Sequence, residues 1–356
     1  MISIDVPAAP GSTRHPSRLR RLTWVTWRQQ RAGLAGFAVV SVVFAAVMLA
    51  AGGLGHAQYT TLVRDHCPGP HPLHRCASLG NPFPWLGNTY YPAGVTLAAW
   101  IVPVLAGMFL GAPLLAREYE RGTARFAWTQ GTSRTRWALA SLLTLAVPVV
   151  AAAAGLGALA EWSLQPFEAL AAASRWKDPF EATPLTLAAW ALFALLLGVV
   201  AGAALRRVVP AMAVAGGASA AVILVNAWNL HDLLLTVGAI VARTRLVPYQ
   251  SYSPRSTNDL PFFFNSSAAR VPAGGWVVDG WFRDRSGHRL SGIALGQVYR
   301  AKSPEAWVAS HDASAWIRYQ PGGHYWALQG LESGALLVLS LVLAASTLFL
   351  VRRSST

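Results

Sequence analysis

A polar stretch between two long apolar segments, residues 117–136 (REYERGTARFAWTQGTSRTR), combines charged and hydrogen-bonding side chains of both signs. Carboxylates can pair with arginines of a partner protein, and arginines can bind acidic side chains or lipid phosphates. We therefore interpret the stretch as a docking surface instead of a catalytic site. Its candidate residues are Arg117, Glu118, Glu120, Arg121, Gly122, Thr123, Ser133 and Arg134.

Polar side chains within or at the ends of apolar segments form a second candidate set. Glu332 is the only ionisable residue inside the predicted spans, and such a residue is costly in a membrane and functional by default. It could line a substrate path or cap the end of a neighbouring helix. Asn226 and Asn229 lie one helical turn apart, a spacing compatible with lining a cavity or with hydrogen bonds between helices. We keep all three as candidates for a substrate path.

The polar segment after the first apolar run contains both cysteines, Cys67 and Cys76, and is rich in histidine. Thiolate and imidazole are ligands for zinc and copper(I). A pair of cysteines exposed to an oxidising exterior more often forms a disulfide. We predict a Cys67–Cys76 disulfide, with a metal site or free thiols as the alternatives.

The sequence contains no motif for nucleotide binding or for hydrolase chemistry. A P-loop needs a lysine directly after a glycine, and neither Lys177 nor Lys302, the only lysines, follows one. We therefore predict no enzyme activity, no catalytic residue, and no cofactor or metal bound by this chain. Two pairs of loop neighbours are predicted to be surface residues because no motif supports a nucleophile and base there: Ser286 with His288, and His311 with Asp312.

The composition predicts an integral membrane protein. Of the 356 residues, 54% are hydrophobic and 12% are charged, whereas soluble domains carry about 25% charged residues. A membrane-spanning helix needs about 20 mostly apolar residues, and the chain offers six such segments. They are residues 32–54, 95–116, 137–159, 184–205, 209–228 and 325–351.

The distribution of arginine predicts the side of the membrane that each segment faces. Basic residues near span ends tend to stay in the cytoplasm, and an even number of spans places both termini on one side. With the termini inside, the inner segments hold 15 arginines and three acids, which leaves +2 of the net charge of +14 outside. Bases spread along membrane boundaries suit anionic lipid and argue against nucleic-acid binding.

The predicted fold class is an all-α polytopic membrane protein with six transmembrane helices and a small α+β extracellular segment between helices 5 and 6. The sequence divides into residues 1–16, expected to be disordered; 17–31, an amphipathic elbow helix in the inner headgroup layer; 32–228, spans 1–5; 229–324, the extracellular segment; 325–351, span 6; and 352–356, a cytoplasmic tail. A simple flank of the first span is the alternative for residues 17–31.

Glycines and prolines predict details of the spans. The apolar runs contain two GxxxG spacings, which let helices pack closely. They also contain three prolines, which predict irregular second and third spans. These residues are Gly107 with Gly111, Gly198 with Gly202, and Pro103, Pro113 and Pro148.

Three local patterns predict structure in the extracellular segment. Residues 233–246 have the apolar spacing of a helix on the membrane surface. Residues 276–282 and 288–295 flank a Ser-Gly turn and predict a hairpin. Ser303 and Pro304 predict a helix start, with the serine as N-cap.

Several of these features together resemble the type-2 ABC transporter permeases, including their bacterial branch. In that family, acidic residues lead into Gly-Thr, a short segment follows, and Ser-Arg opens the next span. The corresponding residues here are Glu118, Glu120, Gly122, Thr123, Ser133 and Arg134. The run LTWVTWRQQRAGL resembles the family's elbow helix, and residues 319–334 resemble the start of its last span. The loop departs from many members in carrying Arg125, Phe126 and Trp128 where they have aliphatic residues.

The resemblance implies a transport subunit whose residues 117–136 form the coupling loop that rests on a separate ABC ATPase. ATP and Mg would be bound by that ATPase, and a second permease subunit would complete a homo- or heterodimer. It also implies export across a bacterial plasma (inner) membrane. The apolar spans, with their few polar groups, favour an amphipathic or hydrophobic substrate, such as an antibiotic, a drug or a lipid-like molecule, and contact with lipid is the alternative use of the same apolar side chains. A membrane-anchored sensor or enzyme that acts through its extracellular segment is the alternative.

Overall fold

In the part of the chain that the computed structural model describes, six helices are long and apolar enough to cross a membrane, as the sequence predicts. The structure describes residues 18–66, 90–122, 134–170, 180–244, 275–290, 297 and 304–353. Outside the described residues lie the predicted N-terminal tail, both cysteines of the predicted disulfide (Cys67 and Cys76), and residues 123–133 of the polar loop.

The described elements are mostly helices, with three strands before the last helix. The α-helices are α1 (Arg18–His66), α2 (Tyr90–Leu105), α3 (Ala112–Glu120), α4 (Arg134–Leu170), α5 (Pro184–Leu205), α6 (Val208–Val225), α7 (His231–Leu234), α8 (Pro304–Ser310) and α9 (Tyr325–Arg353). Segments Ala106–Gly111 and Asn226–Leu230 are π-helical, and Phe180–Ala182 and Gly322–His324 are 3-10 turns. The strands are β1 (Ile240–Thr244), β2 (Trp276–Arg283) and β3 (Ser314–Gln320).

The spanning helices alternate in direction, which gives the bundle two distinct ends. At one end Gln29, near the start of α1, contacts Glu118, near the end of α3. At the other end His56, towards the end of α1, stacks on Trp162 of α4. We call the first the arginine end, because most of the arginines near the ends of the described spans lie there, and the second the sheet end, because the strands lie between α7 and α9 in the chain.

Helix α5 is the most enclosed of the spanning helices. In an apolar stretch of 18 residues of this helix, 72% is buried inside the protein, against at most 44% in the corresponding stretches of the other spans. It packs against α2, α3, α4, α6 and α9. Helix α1, in contrast, exposes valines such as Val39, Val43 and Val47. Lipid tails are as apolar as these side chains, so this exposure has little cost in a bilayer.

Glycines allow α5 to approach the second span closely. Gly107 and Gly111 of the π-helical segment lie against the part of α5 that carries Gly198 and Gly202. A Cβ atom on Gly198 would overlap the carbonyl oxygen of Gly107, and one on Gly111 would overlap that of Leu195. The prediction that these spacings serve close helix packing is confirmed.

The second span is irregular, as its prolines predict, but the third is not. The π-helical segment Ala106–Gly111 follows Pro103 and precedes Pro113 in the first turn of α3. Helix α4 is α-helical over all 37 residues although it contains Pro148, so the prediction of an irregular third span is wrong. A proline removes a single main-chain donor, and the bonds of the turns on either side maintain the helix.

Residues 18–31 are helical, as predicted, and α1 continues from them to His66 over 49 residues. The helix has no break near residue 31. The structure therefore does not separate an elbow helix from the first span.

A three-stranded antiparallel sheet of order β1-β3-β2 confirms the small β component. Phe282 of β2 pairs with Ala315 of β3. These two residues and Ile317 form a small core against Trp307 and Val308 of α8.

Two predictions for residues 229–324 are wrong in part. The helix expected over residues 233–246 ends at Leu234, and Ile240–Thr244 forms β1 instead. Strand β1 is stabilised by pairing with β3, far along the chain, so its local apolar spacing could not reveal it. The turn around Gly287 is present, but β2 pairs with β3, and the returning chain contributes the single bridge Arg283↔Arg289 in the described residues. Pro304 begins α8 as predicted, while Ser303 lies outside the described residues.

Candidate functional site

At the arginine end, the second span ends in a turn that carries most of the candidate docking residues. Helix α3 runs through Arg117 and Glu118 to Glu120, and the main-chain N–H of Arg121 donates to the carbonyl of Arg117 at 3.1 Å. Gly122 follows with φ of 68°. Glycine adopts this left-handed conformation at the end of a helix without the penalty of a Cβ atom.

Two hydrogen bonds connect this turn to neighbouring helices. Gln29 Nε2 donates to Glu118 Oε1 at 3.2 Å and links α1 to α3. The main-chain N–H of Val208 donates to Glu120 Oε2 at 3.3 Å. Glu120 thereby satisfies one of the N–H groups that lack a partner within the first turn of α6.

The connection between α5 and α6 packs on the same turn. Arg206 has φ of 56°, and its guanidinium lies 5.6 Å from the centre of the Tyr119 ring. Thr123 and Ser133 lie outside the described residues, and Arg134 begins α4 with its side chain not described. The structure therefore brings five of the eight predicted docking residues together, from Arg117 to Gly122.

At the sheet end, Asn226 and Glu332 are buried together. Asn226 Nδ2 donates to Glu332 Oε1 at 3.2 Å. Asn229, in contrast, is exposed. Of the two uses predicted for these asparagines, Asn226 therefore shows hydrogen bonding between helices. Asn229 lies on a different face, because Asn226 begins a π-helical segment whose wider turn changes the face that each following residue occupies. A role of Asn226, Asn229 and Glu332 in a substrate path stays a prediction.

The structure adds a second carboxylate, Glu181, to this buried pair. Glu181 Oε1 accepts from Asn226 Nδ2 at 3.4 Å, and Glu181 Oε2 accepts from Trp100 Nε1 at 3.3 Å. Trp190 Nε1 donates to Glu332 Oε1 at 3.1 Å. The second, fourth, fifth and sixth spans and the turn before α5 thus contribute to one polar group, which we call the carboxylate cluster: Glu181, Asn226, Glu332, Trp100 and Trp190.

Gln329 lies one helical turn from Glu332 and is fully buried. Its Oε1 accepts hydrogen bonds from the hydroxyls of Thr183, at 2.7 Å, and Thr186. Its Nε2 donates to the carbonyl of Phe180 at 2.7 Å. These bonds fix the start of α9 against the start of α5.

Burial raises the pKa of Glu181, and the nearby charge of Glu332 raises it further. His231 at the start of α7 and the hydrogen bond from Trp100 act in the opposite direction. Desolvation and a second negative charge both disfavour the ionised carboxylate.

A family comparison agrees with this architecture. The family described as ABC-2 membrane transporter related matches residues 38–230, which is more than half of the chain. The chain belongs to this family. It is accordingly an ABC-2 type permease, a multi-pass membrane protein of a class that works with an ABC ATPase. No significant match to a curated protein or to a solved structure was found.

The matched residues cover part of this permease's candidate sites. They include the turn from Arg117 to Gly122, Glu181 and Asn226. They end before β1, so the sheet and the sixth span with Glu332 lie beyond the match. The resemblance of residues 319–334 to the family's last span stays a prediction.

Sequence reasoning missed Glu181 in this ABC-2 permease. The residue lies three positions before the fourth span, in a segment predicted to face outward, so a search for charges inside spans did not include it. The sequence contains one signal that Glu181 belongs to the site. Thr183 and Pro184 mark the start of a helix, and an acid next to that start lies at the depth in the membrane where the span begins.

The loop pairs considered for hydrolase chemistry form surface turns in this permease. Ser286 Oγ donates to Asp284 Oδ1 at 2.7 Å, and the main-chain N–H of His288 donates to the same oxygen at 2.9 Å. The hydrogen bond from Ser286 is the main cause that lowers the pKa of Asp284. His311 stacks on Trp307 at 3.9 Å. These contacts stabilise turns on an exposed surface, as predicted for surface residues.

Proposed function

We propose that this permease exports an amphipathic or hydrophobic substrate with energy from ATP that a separate ABC ATPase hydrolyses. In this proposal the ATPase docks on the turn from Arg117 to Gly122 at the arginine end. The chain itself is not an enzyme; ATP and Mg are bound by the ATPase. A drug, an antibiotic or a lipid-like molecule would suit the apolar walls of the spans.

The contacts of this turn are the observation that carries the proposal. Glu118 is bonded to α1 through Gln29, and Glu120 is bonded to the start of α6 through Val208. A force applied to the turn would therefore act on the first, second and fifth spans together. A docking site for an ATPase needs such a connection, because nucleotide-driven movement has to reach the spans.

The distribution of charge supports the orientation that we propose. Arginines flank the spans at the arginine end, which favours the cytoplasmic side for that end and for both termini. The sheet would then face the exterior of a bacterial plasma membrane. Exposed valines and leucines on α1 and α6 are available for lipid and for a second permease subunit, with which we propose a homo- or heterodimer.

Charge removal at the turn tests the proposal. The double variant Glu118→Gln, Glu120→Gln keeps an acceptor for Gln29 and for the N–H of Val208, whereas alanine would also remove the contact with α6. If both carboxylates pair with arginines of the ATPase, each exposed pair contributes about 0.2–1 kcal/mol. We expect the ATPase concentration for half-maximal stimulation by reconstituted permease to rise roughly 2- to 30-fold.

The matched control is Glu161→Gln, on α4 towards the sheet end and away from the turn. It should leave the ATPase concentration dependence unchanged. Wild-type stimulation by the double variant, with normal membrane insertion, would refute docking through these carboxylates.

A further inference from the structure

Two buried carboxylates share one hydrogen-bond donor at the sheet end. Asn226 Nδ2 lies 3.4 Å from Glu181 Oε1 and 3.2 Å from Glu332 Oε1. Glu181 is 6% exposed and Glu332 is 8% exposed. Two negative charges this close, with little water around them, repel each other strongly.

The groups around the two carboxylates do not neutralise both charges. Trp100 and Trp190 each donate one neutral N–H. In the described part of the chain, no arginine or lysine forms an ion pair with either glutamate. His231 of α7 is a titratable group that interacts with Glu181. The rings of His231 and of Tyr325 in α9 contact the Phe180 ring beside Glu181, at centre-to-centre distances of 4.8 and 5.6 Å.

One buried carboxylate oxygen indicates that the site binds a further group. Glu332 Oε2 is buried and has no hydrogen-bond partner among the described residues. A buried acceptor that carries charge costs free energy when it is left in this state. A proton on the carboxyl group would remove the charge, so the oxygen would no longer need to be solvated as part of an anion.

A proton suits this site better than a metal ion does. Among the residues that the structure describes, no three His, Cys, Asp or Glu side chains are grouped so that they could hold a metal. A proton needs no cavity and no third carboxylate. Like-charged carboxylates that share a site commonly retain one proton between them.

We propose that Glu181 and Glu332 form a proton-binding site that holds one proton between them at neutral pH. One carboxylate takes up the proton from water at the sheet end, which gives one neutral carboxyl and one carboxylate, with no change in oxidation state. This goes beyond the proposed function, since it concerns the permease alone.

Proton binding would affect how the spans pack. Glu181 precedes α5, Asn226 directly follows α6 and Glu332 lies in α9. Loss of the proton would leave two charges on one amide and would favour separation of α9 from the start of α5. The sheet end would therefore respond to the proton concentration beside it.

Infrared spectroscopy of the purified full-length permease in lipid nanodiscs, without ATPase or ATP, tests the proposal. We expect the wild type at neutral pH to show absorption of one protonated carboxyl per chain that shifts in deuterium oxide. The variant Glu181→Gln, Glu332→Gln should lack this band, and Glu161→Gln should retain it. Equal carboxyl absorption in the wild type and the double variant would overturn the proposal.

Single variants keep the test decisive if the double variant does not fold. Either Glu181→Gln or Glu332→Gln removes the neighbouring negative charge, so the last protonated carboxyl should ionise at lower pH than in the wild type. An unchanged midpoint in both single variants would also overturn the proposal. Because no ATPase is present, neither result depends on docking at the arginine end.

Discussion

Gln329 satisfies its buried amide with partners from a different part of the chain. Its Oε1 accepts from the hydroxyls of Thr183 and Thr186, and its Nε2 donates to the carbonyl of Phe180. Because two hydroxyls donate to one oxygen, either can be lost while the oxygen keeps a partner. A buried acceptor without any hydrogen-bond partner costs more free energy than an average hydrogen bond contributes to stability.

Thr183→Val and Thr186→Val should therefore be non-additive. Each single variant should lower the free energy of unfolding by about 0.5–1 kcal/mol, since hydrogen bonds between membrane helices average about 0.6 kcal/mol. The double variant should lower it by about 1–3 kcal/mol more than the sum, because the Gln329 oxygen is then unsatisfied. Denaturation of the four proteins in detergent measures the coupling.

Thr347→Val is the matched control for this cycle. Thr347 is equally buried, but its hydroxyl donates to the carbonyl of Leu343 in its own helix, which already accepts a main-chain bond. This variant should change stability little. Additive effects of the two threonine variants would show that Gln329 does not depend on them jointly.

The residues of the carboxylate cluster differ in how far the sequence could predict them. Glu332 stands out as a charge within an apolar run, and Asn226 as an amide at the end of one. That they touch each other could not be predicted, because they lie 106 positions apart on two different spans. Glu181 lies outside every apolar run, so only the folded chain shows that it is buried.

At the scale of elements, the two GxxxG spacings make α5 and the second span a matched pair. The variant Gly198→Ala would place a Cβ atom against the backbone at Gly107, where no flexible side chain can move aside. Overpacking of this kind costs about 1–3 kcal/mol, against a gain of about 1 kcal/mol from the helix propensity of alanine. We expect a lower midpoint of thermal unfolding for the purified permease.

Gly155→Ala provides the same substitution without the contact. Gly155 lies in α4, and a Cβ atom there would have open space around it. It should leave stability unchanged or raise it. Equal effects of the two substitutions would contradict close packing at Gly198.

Elements were predictable where a local property determines them. The fourth span was predicted at residues 184–205 and is helical from Pro184 to Leu205, because apolar length alone decides a spanning helix. Strand β1 was predicted as helix because its partner, β3, lies some seventy residues further along the chain. The pairing of Ile240 with Tyr319 depends on the whole fold, and the five residues of β1 cannot predict it on their own.

At the scale of the whole molecule, the charge difference between the two ends predicts the orientation of the permease. In a background with Cys67→Ser and Cys76→Ser, single cysteines would be introduced by Arg121→Cys at the arginine end and Ala309→Cys in α8, both exposed positions. A membrane-impermeant maleimide applied to intact cells should label Ala309→Cys, and should label Arg121→Cys only after permeabilisation. The physical reason is that arginines near span ends resist translocation, so the end that carries them, with the turn at Glu118 and Glu120, stays where ATP is available. Labelling of Arg121→Cys in intact cells would show that the topology is the opposite one and that no cytoplasmic ATPase can reach the turn.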